Sequence, residues 1–414
     1  QPAIRKVTFI ISGLPQGYNA VIEVIQHTKG RRFHETCYGS GVIICPYWGE
    51  WKAKAVQAGS ITYIPKPSMG WAKPGDTIYI TYVPVQQPIP QRPKGHTGKS
   101  PIQQFRPNPN DPLGLIGRTL GVYEIVDYIG EGGTGYVYLA KYKGVTYAIK
   151  VLKVSQGRAE DYFKDLMGEA GNLTNLSDHR NIVKVFGVAG DVNLISEALK
   201  GNLHEFLKDP PRIVMEFMEG GSLESYLKDD MFFYSSSWER AVVKAIRQIA
   251  DALTYLHSQG YVHLDVKPQN IFLTRKPRDP SDLINVDFKL GDLGSAVRAG
   301  KRVLQLTTEY APPEAFLEVA RPSMDVFALG MTLYRLLTRK SRPDLQLMEE
   351  AYNCYVNGDM NCVKQKVEES KRLLASWDPE VQEPYKSLIK RMTEPDPIRR
   401  PTSYDVLLSL SHLI

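Results

Sequence analysis

Hydrophobic and polar positions change their period twice along the chain. Residues 4–83 carry the short β-branched and aromatic runs VTFII, AVIEVI, GVIICPY, SITYIP and DTIYITYV, separated by turn-rich stretches such as SGLPQGYN and KPSMGWAKPGD. Runs this short, broken by Gly, Pro and Asn, read as strands, and their spacing predicts a small antiparallel sandwich. Residues 84–112 hold eight of the chain's 28 prolines with little apolar content, the composition of an extended, polyproline-like linker. From about residue 119 strand-like runs give way to helical periodicity. In SSWERAVVKAIRQIADALTYLHSQG, Ser236 and Glu239 stand at capping-box spacing, and Val242, Ile246, Ile249, Leu253 and Leu256 form one apolar stripe. MDVFALGMTLYRLL is apolar nearly all round, which predicts a buried helix. The resulting division is a β-domain over 1–86, a linker over 87–118 and an α+β domain over 119–414.

At 414 residues and 43% apolar composition the chain can build two or three cores. No apolar run reaches the roughly 18–20 residues that span a bilayer, so no membrane span is expected. No signal peptide is visible, and the start at Gln1 rather than Met points to a trimmed chain, which leaves attachment upstream open. Charge is uneven: residues 1–100 hold 12 Lys and Arg against 4 Asp and Glu, and the remainder 39 against 41. The basic excess of the β-domain suits a protein or anionic partner, or is simply a solvated face; no aromatic–basic motif points to nucleic acid.

The four cysteines form two equally spaced pairs, Cys37/Cys45 and Cys354/Cys362, neither at zinc-site spacing. Cys37 and Cys45 flank the hairpin-like YGSGVII and could cross-link between strands. Disulfides are rare inside cells outside hyperthermophiles, so free thiols are expected for both pairs. His27 and His34 are isolated and read as structural or solvated.

Candidate chemistry lies beyond the linker. YIGEGGTGYVYLAKYKGVTYAIKVLK supplies Gly130, Gly132 and Gly135, which let a backbone approach a polyphosphate and present N–H groups to it. Strand-like residues on both sides make this a hairpin with a glycine tip, not the strand-to-helix turn of a dinucleotide site. Taken alone, a plain glycine-rich turn is equally open. Lys150 ends an apolar strand, where an ammonium is costly to bury without an anion. Nineteen residues later stands Glu169, sharing a helix face with Leu166 and Leu173. It therefore points inward, with Lys150 the natural partner; a purely structural salt bridge is the alternative. HLDVKPQN then places Asp265, Lys267 and Asn270 at offsets of zero, two and five on one loop.

Together GEGGTGYVY, YAIK, Glu169, HLDVKPQN, GDLG, APPE and Arg400 follow the order and spacing of a known family, and several co-linear motifs are far more specific than one. Residues 119–414 resemble a eukaryotic-type Ser/Thr protein kinase. The resemblance implies a bilobal α+β fold, here preceded by the small all-β sandwich-like domain, with an N-lobe over about 119–217, a C-lobe over about 218–414 and ATP in the cleft. It implies that Asp265 orients a substrate hydroxyl and accepts its proton, that Lys267 neutralises the migrating phosphoryl group, and that Thr307 bonds both. Asn270 and Asp292 would hold Mg2+, and Lys150, kept in place by Glu169, the α- and β-phosphates. Ile129, Gly130, Glu131, Gly132, Gly133 and Gly135 would cover the phosphates, with Val137 and Ala148 above the adenine. Met215 would lie behind it, and the Glu216 carbonyl and Met218 N–H would bond it.

Lys267, two positions after the aspartate, and TTEYAPPE resemble the Ser/Thr-specific subfamily. Asp325 resembles the aspartate that anchors the catalytic-loop backbone. Glu314 and Arg400 resemble an ion pair that favours a protein substrate, because small-molecule kinases of this fold generally lack it. Two positions depart from the family pattern: Leu293 replaces a Phe, and Leu264 replaces an Arg that grips a phosphorylated activation loop, so phosphorylation of 293–311 is expected to be unnecessary. SEALKGNLHEFLKDP (196–210) echoes MEFMEGGSLESYLKDD (215–230); the second is taken as the hinge, leaving the first as an insertion with a faint archaeal resemblance. The expectation is thus an ATP- and Mg2+-dependent Ser/Thr protein kinase, cytoplasmic because it needs ATP, and able to autophosphorylate. The alternatives are a pseudokinase scaffold, against which the complete residue set argues, and a small-molecule kinase.

Overall fold

The computed structural model describes residues 7–14, 18–28, 31–45, 49–58, 61–66, 68–73, 76–85, 110–132, 135–152, 170–191, 194, 203–303 and 306–413. Most of the proline-rich linker, Gly133, Glu169 and residues 196–202 of the insertion lie outside these. The chain divides into two compact units, Gln1–Met167 with Val188–Ile213, and Gly168–Gly187 with Val214–Ile414.

The N-terminal strands are β1 Val7–Ser12, β2 Ala20–Thr28, β3 Arg31–Gly39, β4 Val42–Cys45, β5 Gly49–Ala53, β6 Val56–Ala58, β7 Ile61–Lys66, β8 Met69–Ala72 and β9 Thr77–Val85. They form a five-stranded sheet in the order β4-β1-β9-β7-β6 and a four-stranded sheet in the order β3-β2-β5-β8. Val7, Phe9 and Ile11 of β1 and Ala20, Ile22 and Val24 of β2 enter one core with Trp51, Ile80 and Tyr82, as the two-residue period requires. Phe9 and Trp51 meet edge-on at 5.5 Å.

The sandwich differs from the sequence expectation in three respects. β1 runs parallel to β9, with Phe9 opposite Ile78, so the sheet is mixed rather than antiparallel; alternation shows which face is buried but not which strand lies alongside. β3 and β5 carry Arg, His, Glu and Lys, which hid them among the connecting residues. β8 lies inside the stretch read as a turn. Its Gly70 stands opposite Trp51, and a Cβ there would sit 2.9 Å from the indole ring. The glycine makes room for a core side chain instead of marking a turn.

Both cysteine pairs are disulfides, which corrects the expectation of free thiols. Cys37 on β3 and Cys45 on β4 belong to different sheets, so their bond crosses the sandwich core and not a hairpin. Both point inward, and their Cα atoms stand 5.9 Å apart, within bonding range. Cys354 and Cys362 stand at 5.8 Å between neighbouring helix ends.

The next strands are β10 Thr119–Leu120, β11 Tyr123–Gly132, β12 Gly135–Tyr142, β13 Val145–Leu152, β14 Val185–Ala189 and β15 Arg212–Glu216. They make a six-stranded sheet in the order β10-β11-β12-β13-β15-β14, and the division between the units falls within β14 and β15. β11 and β12 form the glycine hairpin, with Gly132 opposite Gly135. A Cβ at Gly135 would meet the Val151 carbonyl oxygen at 2.5 Å, so this position of the hairpin has no space for a side chain.

The second unit is mainly helical. Helix Trp238–Ser258 buries the predicted stripe of Val242, Ile246, Ile249, Leu253 and Leu256. Its cap is Ser237, with no side-chain capping bond, so the capping box expected from Ser236 and Glu239 does not form. Glu239 instead accepts the Tyr385 hydroxyl at 2.9 Å, and Trp238 donates to the Leu336 carbonyl at 2.8 Å, fixing the helix start by tertiary contacts. Helix Pro322–Thr338 is buried on all sides from Met324 to Tyr334, as its composition predicts. Two short ribbons lie beside these helices: β16 Tyr261–Val262 with β19 Val297–Arg298, and β17 Ile271–Leu273 with β18 Phe288–Leu290. No helix among the described residues is long and apolar enough to cross a membrane.

Candidate active site

The segment HLDVKPQN bridges β16 and β17, so each ribbon fixes one of its ends. Between them the backbone is held from below by Asp325, a fully buried carboxylate near the start of helix Pro322–Thr338. Its oxygens accept the N–H groups of His263 and Leu264, each at 2.8 Å, and face His257 Nε2 at 2.8 Å. Leu264 has φ 65°, a left-handed conformation that costs a non-glycine residue about 1–2 kcal/mol and persists only where the surroundings impose it. The two bonds to Asp325 do so. His263 is also fully buried, with Nε2 2.8 Å from the Gly291 carbonyl and Nδ1 3.3 Å from the Asp265 N–H. A carbonyl needs a donor and an N–H an acceptor, which assigns the neutral ring with its proton on Nε2.

Four predicted site residues meet here in one network. The Thr307 hydroxyl donates to Asp265 Oδ1 at 2.8 Å and accepts from Lys267 Nζ at 3.0 Å. Lys267 Nζ also lies 2.8 Å from Asp265 Oδ1. Asn270 Nδ2 donates to Asp265 Oδ2 and to the Asp265 carbonyl, both at 2.8 Å. Asp265 Oδ1 thus receives two donors and Oδ2 one, which leaves Oδ2 able to accept another. With its amide nitrogen committed, Asn270 has Oδ1 remaining as an oxygen donor. Asp292 follows Gly291, whose N–H donates to the Asn270 carbonyl at 2.8 Å, and has left-handed φ 59°. The Ser295 hydroxyl lies 2.9 Å from the carbonyl oxygens of both His263 and Asp292 and shares its one proton between them, tying the two segments together. An amide oxygen and a carboxylate form an oxygen-only set that suits a hard cation such as Mg2+.

Among the expected hinge residues, Glu216 makes a second polar contact. Met215 and Glu216 end β15, and the Glu216 carboxylate accepts Lys289 Nζ at 2.8 and 2.9 Å and the Lys184 N–H at 3.1 Å. Met218 is buried. In the other unit, Lys150 is a buried residue of β13 opposite Val137 of β12, and Ala148 is buried two residues before it. Ile129, Gly130 and Glu131 lie on β11, with Ile129 and Glu131 exposed. Glu169 and Gly133 lie outside the described residues, and the expected Lys150–Glu169 contact lies outside them with Glu169.

Supporting residues lie deeper. Arg400 forms a bidentate buried pair with Glu314, at 2.5 and 3.0 Å. Sequence reading missed Arg342, which lies in the loop-like SRPDLQ. It is buried with Asp344 at 2.7 Å, and donates to the carbonyls of Thr308, at 3.0 Å, and of Ala311. An arginine beside an aspartate in a polar stretch reads as a solvated pair; its only signal was the adjacent Pro343. Lys289, the partner of Glu216, was missed because a lone lysine on a short strand carries no pattern.

Comparison with known proteins gives one answer. Residues 123–410 match the family model for the protein kinase domain. The chain is 38% identical over 316 residues to serine/threonine-protein kinase ArnS of Sulfolobus acidocaldarius, an alignment covering 72% of this chain and 50% of that protein. It is 31% identical over 233 residues to serine/threonine-protein kinase Pkn1 of Myxococcus xanthus, covering 54% and 30%. Against calcium-dependent protein kinase 8 of Oryza sativa subsp. japonica the identity is 30% over 296 residues, covering 70% and 48%. The chain spans half or less of the length of these relatives.

Proposed function

Because the chain belongs to the protein kinase domain family, we propose that it is an ATP-dependent protein-serine/threonine kinase. The observation that carries this reading is the network in which Thr307, Lys267 and Asn270 all hold Asp265. Phosphoryl transfer requires positioning and charge neutralisation more than covalent chemistry. In this reading a substrate Ser or Thr hydroxyl donates to Asp265 Oδ2. Its oxygen bonds the γ-phosphorus as the bond to the β-phosphate oxygen breaks, and its proton passes to Asp265. Lys267, fixed by Asp265 and Thr307, supplies positive charge to the migrating group. Asn270 and Asp292 would hold Mg2+, which neutralises phosphate charge when bound.

Lys150, with Glu169 as its expected partner, would hold the α- and β-phosphates, and the backbone of Ile129, Gly130, Glu131, Gly132, Gly133 and Gly135 would cover them. Val137, Ala148 and Met215 would contact the adenine, and the Glu216 carbonyl and Met218 N–H would bond it. The reading extends to domain limits at 1–86, 87–118 and 119–414, autophosphorylation, a cytoplasmic site of action and a protein or anionic partner for the β-domain. It is tested with labelled ATP and casein, comparing wild type with Asp265→Ala. Wild type transfers label to casein and to itself, and the variant falls to background. Equal incorporation by the two overturns the reading.

A further inference from the structure

The two disulfides occupy opposite surroundings. Cys37 and Cys45 are buried in the sandwich, whereas Cys354 and Cys362 are partly exposed. Reduction proceeds by thiolate attack on a sulfur, so access decides which bond responds. Cys354–Cys362 joins the last turn of helix Leu345–Val356 to the first turn of helix Met360–Ser376, where Asp359 Oδ1 accepts the Cys362 N–H at 3.0 Å.

Beside this bond lies the segment leading to Thr307. The hydroxyl of Tyr355, next to Cys354 in sequence, accepts from Arg302 Nη2 at 2.9 Å, and its ring meets Phe316 at 5.9 Å. Cys354, Tyr355 and Leu306 pack against one apolar cluster containing Phe316, Met348 and Val363. Leu306 packs, together with Leu264, against a second cluster containing Val262 and Val303. The residue after Leu306 is Thr307, which holds Asp265 and Lys267. Contacts therefore run without a gap from the S–S bond to the proton-accepting carboxylate.

We propose that Cys354–Cys362 is a redox switch. Oxidised, it holds Tyr355 and Leu306 against the segment and keeps Thr307 in place; a dithiol reductant releases them. One reductant thiolate attacks Sγ of Cys354 or Cys362 and forms a mixed disulfide, and its second thiol resolves it. Two cysteine thiols and one oxidised reductant result, with two electrons and two protons passing to the protein. The effect on activity rests on the kinase reading above, whereas the effect on order does not.

The test uses the full chain, air-oxidised or treated with dithiothreitol. Alkylation and mass spectrometry identify the free thiols, and hydrogen exchange follows residues 297–303 and 306–311. On reduction Cys354 and Cys362 become alkylated while Cys37 and Cys45 stay protected. Exchange in both segments then accelerates, and casein phosphorylation falls about tenfold, within the range of intramolecular couplings. The double variant Cys354→Ser/Cys362→Ser stays at the lower rate with or without reductant. Tyr355→Phe keeps the disulfide but loses the Arg302 contact, and lowers the rate of oxidised protein in part. Free thiols at 354 and 362 in the oxidised protein would overturn the proposal. So would unchanged exchange after their alkylation, or a double variant equal to oxidised wild type. Absence of phosphorylation in both states, with exchange still responding, would count against the kinase reading alone.

Discussion

Thr307→Val removes one hydroxyl and keeps the side-chain shape, so it tests the network around Asp265 directly. The hydroxyl makes two charge-assisted bonds, to the Asp265 carboxylate at 2.8 Å and from the Lys267 ammonium at 3.0 Å. Bonds to charged groups contribute about 1.5–3 kcal/mol each when dry. This site is only partly buried, and water replaces much of what is lost, so about 2 kcal/mol for the pair is the working figure. Asp265 and Lys267 still contact each other at 2.8 Å, so the charges stay paired and the fold should survive. What is lost is orientation at the moment of transfer, and about 2 kcal/mol in the barrier is about 30-fold in kcat. Initial rates of casein phosphorylation over a range of ATP concentrations separate kcat from KM. The expected result is the 30-fold fall with KM for ATP nearly unchanged, and recovery of most activity in Thr307→Ser. A valine variant within about threefold of wild type would refute the reasoning, as would a serine variant no better than valine.

Leu264, where the family pattern has a phosphate-binding arginine, packs against the same cluster of Val262 and Val303 as Val297 and Leu306, so phosphatase-treated protein confirmed free of phosphate should keep full activity, and Leu264→Ala should accelerate hydrogen exchange in residues 297–303. Inert dephosphorylated protein that regains activity on phosphorylation of the 293–311 segment contradicts this. Cys37→Ala/Cys45→Ala opens a loop with a sequence separation of 8, whose closure is worth about 2.5 kcal/mol in the chain-entropy account. Denaturant titration of the full chain, followed by proteolysis within residues 20–53, should show that loss in the N-terminal sandwich while residues 238–258 unfold as in wild type.

The HLDVKPQN loop was legible because the family motif restricts residue type at fixed offsets: Asp265, Lys267 and Asn270 stand together in sequence and in space. The long helices were legible because Trp238–Ser258 has one apolar face and Pro322–Thr338 none that is polar. What failed was information carried by partners. The parallel β1–β9 pairing and the replacement of the Ser236–Glu239 box by Tyr385 depend on residues far along the chain. No local window contains them. Charged strands such as β5 failed for a related reason, since Gly49, Trp51 and Ala53 are buried while the intervening Glu50 and Lys52 are not, and the latter set the composition.

The segment between Asp292 and Glu314 is held at several of its described residues by contacts of different kinds. Ser295 ties its beginning to the His263 carbonyl, and Leu264 and Leu306 share an apolar cluster at its middle. Arg342 collects the carbonyls of Thr308 and Ala311, and Arg400 holds Glu314 at the end. These contacts differ in kind. Breaking a buried pair such as Glu314–Arg400 leaves an uncompensated charge and costs about 3–5 kcal/mol, so that end is fixed whatever the cell does. Apolar contacts around Leu264 and Leu306 are part-exposed and weaker. The middle of the segment is therefore where a modest perturbation can shift Thr307 while the rest of the domain stays folded, and Arg302, Tyr355 and the Cys354–Cys362 bond lie beside it.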